Sequence, residues 1–240
     1  MCGRFSNRLS WRELHDLYDL SNVPMNLDAR ANIAPTQSSL VIRRDADGAR
    51  RASMMRWGLI PFWAKDPKKL PMMVNARAET ITTLASYKDA VRKRHALAVA
   101  CGYYEWTGEK GAKQPWRFVR QDDKPITLAA IWETWKPKEG VAETAGREPV
   151  ESFAIVTADP SSDIAHIHDR MPVVLDHSDF DLWLDPDPAL LDRQLALLRP
   201  ASVGTLRYFP VSTRVNSSKN EGPDLIEPIA LEGAAGQSSA

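Results

Sequence analysis

Ala96-Leu97-Ala98-Val99-Ala100-Cys101-Gly102-Tyr103-Tyr104-Glu105-Trp106 begins as an unbroken apolar run, then meets a glycine and a carboxylate set among aromatics. Six apolar residues without alternation predict a strand buried on both faces. Working outward, further strands are predicted at about 115–120, 126–134, 152–158, 172–175 and 206–210. Upstream, 39–44 and 51–57 predict a hairpin that turns at Asp45-Ala46-Asp47-Gly48. Helices are fewer. Ser10-Trp11-Arg12-Glu13 is a capping box ahead of apolar Leu14, Leu17 and Leu20, with Val23-Pro24 as the stop. Ser86 to Arg94 reads as a second helix, capped by Ser86 and closed by Arg92-Lys93-Arg94, where cations suit the C-terminal dipole. Two more are predicted at about 178–184 and 188–198. Strands outnumber helices and never alternate regularly with them, so the fold class is α+β in one domain. Residues 136–150 read as a polar surface loop. The small, polar stretch 232–240 reads as a disordered tail, leaving 1–231 as the domain.

The 240 residues are 43% hydrophobic and 26% charged, which is ordinary for a soluble globular protein. No apolar run reaches the roughly 20 residues that span a bilayer, and the N-terminus has no signal-peptide core, so no membrane partner is expected. Two cysteines, Cys2 and Cys101, imply no disulfide framework and a reducing, cytoplasmic location. Net charge is zero, yet residues 1–120 hold 21 Lys/Arg against 11 Asp/Glu, and residues 121–240 hold 10 against 20. Such asymmetry is one sign of a polyanion-binding face; halves that interleave in space would cancel it.

The chain starts Met1-Cys2-Gly3-Arg4-Phe5. Methionine is normally trimmed before a small residue, so the mature chain is expected to begin at Cys2. A terminal cysteine carries an α-amine and a thiol whose reference pKa values, about 7.7–8.0 and about 8.5, leave part of each deprotonated near neutrality. A 1,2-aminothiol captures aldehydes, first as an imine and then as a thiazolidine ring. Position alone leaves open the plainer reading of a small buried side chain. Glu105, among aromatics at a strand end, is placed for a raised pKa and proton transfer, or is an exposed strand-end acid. Asn75, in Val74-Asn75-Ala76-Arg77-Ala78-Glu79, orients a nucleophile without charge or simply makes a turn. His168 precedes Asp169-Arg170-Met171-Pro172. It and His166 face opposite sides of an extended segment, and with no cysteine pair or helical His-x-x-x-His no metal site is expected. Trp57-Gly58-Leu59-Ile60-Pro61-Phe62-Trp63-Ala64-Lys65, with Lys68 and Lys69, offers aromatics beside cations, the pattern of single-strand binding. Trp57 reads as core; Phe62 and Trp63 read as a wedge between bases.

Together these segments resemble one family. Met1-Cys2-Gly3-Arg4-Phe5, Asn32-Ile33-Ala34-Pro35-Thr36, Trp57-Gly58-Leu59-Ile60-Pro61, Asn75-Ala76-Arg77-Ala78-Glu79-Thr80, Gly102-Tyr103-Tyr104-Glu105-Trp106, His168-Asp169-Arg170-Met171-Pro172 and Val215-Asn216 to Lys219-Asn220 are similar, in family order, to the SRAP (SOS-response-associated peptidase) proteins. The resemblance covers about residues 2–227. It implies a single SRAP-like domain with a mixed, mostly antiparallel β-sheet or barrel core and flanking helices. It also implies binding to abasic sites in single-stranded DNA, as a monomer without cofactor or metal, and crosslinking through Cys2; a bacterial source would place it at the nucleoid. Cys2 would then be the nucleophile, Asn75 its positioner, Glu105 the acid/base and His168 the group that opens the deoxyribose. Arg4, Arg77 and Arg170 would hold phosphates, with Asn32 also in the DNA-binding set and Phe62 and Trp63 stacking. The loop around Phe62 departs from the family pattern of two tryptophans. Strand cleavage by β-elimination is the side branch. The competing readings are a cysteine peptidase that removes its own Met1 and a non-catalytic single-strand binding module.

Overall fold

The computed structural model describes residues 2–109, 111–137, 144 and 146–231. The expected tail at 232–240, and 138–143 and 145 of the expected loop, lie outside the described residues. The stretch quoted above proves to be two strands in two different sheets. Numbering strands along the chain, β6 (His95–Ala100) lies in a seven-stranded sheet and β7 (Gly102–Thr107) in a five-stranded one.

The larger sheet closes on itself. β10 (Val150–Ala158), β4 (Arg50–Trp57), β3 (Ser38–Arg44), β6 and β9 (Ile126–Trp135) follow in that order, and β9 pairs back onto β10 from Val150↔Trp135 to Ile155↔Ala130. The result is a five-stranded barrel, an arrangement that removes exposed strand edges. Within it only the β10–β4 contact is parallel. β5 (Asn75–Arg77) joins β10 in parallel at Ile155↔Asn75, and β11 (Met171–Pro172) pairs antiparallel near its end. The smaller sheet is antiparallel throughout: β12 (Leu206–Pro210), β8 (Gln114–Arg120), β7, β1 (Phe5–Asn7) and β2 (Arg30–Ile33).

The lack of alternation in β6 now has its cause, since every one of its residues is buried. Leu97 and Val99 join a core with Leu14 and Tyr18 of α1 (Trp11–Tyr18) and with Phe180 and Trp183 of α2 (Phe180–Leu184). Ala96, Ala98 and Ala100 face a second core shared with Phe5, Tyr103 and Phe118 of the smaller sheet. Trp57 lies in that second core, fully buried, as its sequence reading has it.

The handover between sheets occurs at Cys101-Gly102, where the Cys101 N–H donates to Ser6 O at 2.7 Å. A Cβ on Gly102 would stand 2.8 Å from the Phe118 carbonyl oxygen and 3.0 Å from Arg117 Nε. Gly102→Ala is therefore expected to lower stability by about 1–3 kcal/mol, the usual cost of overpacking, read as a lower urea midpoint at constant slope.

The helix-forming residues behave less uniformly. The Ser10–Glu13 capping box forms as expected, and α1 ends at a left-handed Asp19 (φ 51°), before Val23-Pro24. At 178–184 a 3₁₀ turn, His177–Asp179, leads into α2; within 188–198 another, Pro188–Leu190, leads into α3 (Leu191–Leu195). Ser86 to Arg94 is not a regular helix. It is a run of turns in which i→i+4 bonds such as Val91 N–H to Tyr87 O mix with i→i+3 bonds such as Lys93 N–H to Ala90 O. The charge asymmetry of the halves also resolves in space. Arg30–Glu221, Arg43–Glu151, Arg50–Asp181, Arg94–Glu133 and Arg120–Asp176 pair first-half cations mostly with second-half acids. No helix among the described residues is long and apolar enough to cross a membrane.

Candidate active site

Cys2 is fully buried at the base of β1, with its side chain in the core between barrel and smaller sheet. β1 is held there by β7 through Phe5↔Tyr103 and by the Tyr104 N–H donated to Arg4 O at 2.9 Å. The pairing that fixes the terminus therefore also fixes Glu105, two residues beyond Tyr103 on the same strand. Asn75 arrives from the other side. β5 is aligned along β10, and Asn75 Nδ2 donates to the Cys2 carbonyl at 2.8 Å. The Tyr87 hydroxyl donates to Asn75 O at 3.0 Å. Asn75 Oδ1 is buried with no donor among the described residues.

Glu105 is 3% exposed. Burial raises its carboxyl from 4.5 to about 7, with the charge of Asp169 adding to the rise. The Cys2 thiol is pushed up too, by burial first and then by Glu105. His168 Nε2 stands 3.7 Å from Glu105 Oε2, and its Nδ1 lies 2.7 Å from Asp169 Oδ1. The same Nδ1 accepts the Arg170 N–H at 3.0 Å. Two partners at one nitrogen suit both states of the ring. When neutral, Nδ1 accepts from the backbone and the Nε2 proton faces Glu105; when charged, Nδ1 donates to Asp169. Burial holds His168 below the ordinary histidine value while Asp169 opposes the drop. Asp169→Asn is expected to lower the His168 pKa further, as read by imidazole NMR titration.

The four candidate catalytic residues thus come together from four distant segments, three of which sequence reading leaves ambiguous. Among the described residues, no group of His, Cys, Asp and Glu is arranged to hold a metal ion. His166 points elsewhere, with Nε2 3.0 Å from the Tyr208 hydroxyl.

The residues assigned to DNA divide into two sets. Arg4 Nη1 donates to Asn32 Oδ1 at 2.6 Å and to Val215 O at 2.8 Å, and Asn32 Nδ2 donates to Ser217 O and Asn220 O. This pair ties β1 and β2 to the 213–220 segment from inside. Arg170 is 9% exposed; it makes a two-pronged contact with Glu79 (3.0 and 2.9 Å) and reaches Asp159 at 2.6 Å. Its charge is already met by two carboxylates. Arg77, Phe62 and Trp63 are instead exposed, the two rings at 42% and 39%. Trp63 is anchored by its Nε1–H donated to Ala85 O at 3.1 Å, which ties its loop to the turn run after β5. Sequence reading missed Tyr87, Glu79 and Asp159 as supports of the site. Only Glu79, four residues from Asn75 in a quoted motif, left any local signal.

Comparison with known proteins agrees with this architecture. Residues 1–218 match the family model for SOS response associated peptidase (SRAP). The abasic site processing protein YoqW of Bacillus subtilis is 34% identical over 233 residues, covering 95% of this chain and 99% of the relative. The abasic site processing protein HMCES of Gallus gallus is 34% identical over 214 residues, covering 79% of this chain and 61% of that protein. A crystal structure of a Bacteroides thetaiotaomicron protein superposes with a TM-score of 0.79 at 22% identity, over 95% of this chain and all of the other.

Proposed function

This chain belongs to the SOS response associated peptidase family, and on that premise we propose that it captures abasic sites in single-stranded DNA as a covalent adduct on Cys2. The observation that carries the reading is the meeting of Asn75, Glu105 and His168 around a buried N-terminal cysteine. In the chain with Met1 attached, the Cys2 nitrogen is an amide and has no nucleophilic lone pair. Loss of Met1 is thus the step that creates the nucleophile.

The chemistry then follows the electrostatics. An abasic deoxyribose is mostly a closed hemiacetal. His168, with a proton on Nε2, donates to the ring oxygen while the Glu105 carboxylate takes the proton of the anomeric hydroxyl, and the aldehyde is freed. The raised Cys2 thiol disfavours thiolate, so the amine is the first nucleophile. It adds to the carbonyl carbon, and Glu105 protonates the departing hydroxyl, releasing water and leaving an imine. The sulfur then adds to the imine carbon while its proton passes to nitrogen, closing the thiazolidine. Asn75 Nδ2 holds the Cys2 carbonyl throughout, and its Oδ1 accepts from the new amine. If the thiol does not close, the imine allows β-elimination of the 3′ phosphate, which is the lyase branch. The peptidase of the family name is confined in this reading to removal of Met1.

Intact mass spectrometry tests the reading. The purified protein is expected to lack Met1. After mixing with a short abasic strand it should appear at the summed mass of protein and strand less one water. A protein that retains full reactivity toward the strand with Met1 still in place would sink the proposal.

A further inference from the structure

Between the Gly58–Ile60 turn and the 67–73 segment lies a cavity of about 210 Å³ that the chemistry above does not use. Its walls include Leu59, Ile60, Leu70, Met72 and Met73, and its polar groups are Arg56 and Lys68; no carboxylate lines it. Arg56 is only partly exposed, and burial alone lowers its pKa. Among the described residues it has no acidic partner, in contrast to Arg30, Arg43, Arg50, Arg94 and Arg120. Its guanidinium is held in place through Nη1, which donates to Gly58 O. Gly58 has φ +117°, and a Cβ there would stand 2.8 Å from that nitrogen, so the glycine is what allows the guanidinium to fold over the turn. Keeping an unneutralised cation partly out of water is costly without a ligand that accepts its remaining protons.

We propose that this cavity receives a nucleobase of the bound single strand, adjacent to the captured sugar, with Arg56 donating to the base's ring nitrogen or carbonyl. The inference rests on the proposed function and adds a subsite to it. Three features favour a base over other occupants. The apolar walls are largely methionine and leucine side chains, which pack well against a π-face. The partly buried donor is a guanidinium, the group that pairs in two-pronged fashion with base edges. And the cavity lies close along the chain to residues of the proposed strand path. Exposed Phe62, Trp63 and Lys65 follow the turn on one side. On the other, Met73 pairs with Leu59 and precedes Asn75 by two residues of extended chain, about 7 Å.

Base-omission scanning tests this. Strands carrying a stable abasic analogue at the centre are made with one further base removed at each flanking position in turn. Their non-covalent affinity for the protein is read by fluorescence anisotropy. One flanking position is expected to show about a tenfold loss in wild type, and that loss should vanish in Arg56→Ala. Met72→Asp, an exposed wall residue (59%), should reduce it without any bearing on folding through the Arg56–Gly58 contact. A flat scan in a wild-type protein that still forms the Cys2 adduct would overturn the base subsite alone. Failure of wild type to bind any of these strands would overturn both this inference and the function it rests on. An equal loss at every position, unchanged in Arg56→Ala, would reject the base pocket.

Discussion

A Cys2→Ala variant is expected to form no denaturant-stable adduct with an abasic strand, while its non-covalent affinity stays within a few-fold of wild type. The loss should be complete rather than partial, because without the sulfur the imine cannot close into the stable ring. An alanine terminus keeps the α-amine, so imine chemistry survives and strand cleavage should rise. Cys2→Ser should behave in the same way: it trims normally, cuts the strand and does not stay attached. These variants separate amine from sulfur, and denaturing gels on both protein and strand read both outcomes. A Cys2→Ser protein that is trimmed and folded yet leaves the strand wholly intact would disprove the order of amine first and thiol second.

The second large effect concerns Glu105. General acid/base groups contribute about 10²–10⁴-fold, and Glu105→Gln should slow adduct formation by an amount in that range. Wild type should show an inflection near pH 7, where the buried carboxyl titrates, and the variant should lose it. The same group makes a stability prediction. Below about pH 4.5 the carboxyl is protonated in folded and unfolded chains alike and has no effect. As pH rises from there, the unfolded chain ionises while the folded one resists, so Glu105 costs stability progressively up to about 7 and by a constant amount above it. Glu105→Gln should therefore match wild type in mild acid and exceed it above neutrality, by up to about 3 kcal/mol. Urea melts at two pH values decide the point. A residue that helps reactivity while weakening the fold is one retained for chemistry.

Much of this was legible in the chain. The six-residue apolar run announced a strand covered on both faces, and β6 is that strand. The hairpin at 39–57 and the capping box at Ser10 carry local turn and cap chemistry, and both form. What escaped was everything depending on distant pairing. β1, β2 and β5 are three or four residues long and carry Arg30, Asn32, Asn75 and Arg77, with no period long enough to read. They exist because β7 and β10 offer them partners. The switch of sheet at Cys101-Gly102 was hidden for the same reason, since nothing in the run marks which neighbour each half will find. Of the two readings of charge, mixing is visible in the fold: several cations of the first half meet acids of the second across it. The site residues were individually equivocal because their roles are conferred by convergence. Arg4 and Arg170 show the converse, having motif positions that suggest phosphate and side chains engaged by Asn32 and Val215, and by Glu79 and Asp159.

The burial of Cys2 also sets a timetable. Residue 2 is made about a hundred residues ahead of the strand that encloses it through Phe5↔Tyr103. At synthesis rates of about 5–20 residues per second, that gap lasts on the order of 5–20 s. During it the segment around Cys2 is unfolded and open to any trimming enzyme; afterwards the Cys2 side chain is packed in the core. Trimming by another enzyme therefore has its widest opening in the nascent chain, whereas removal of Met1 by the site's own groups waits for the finished fold.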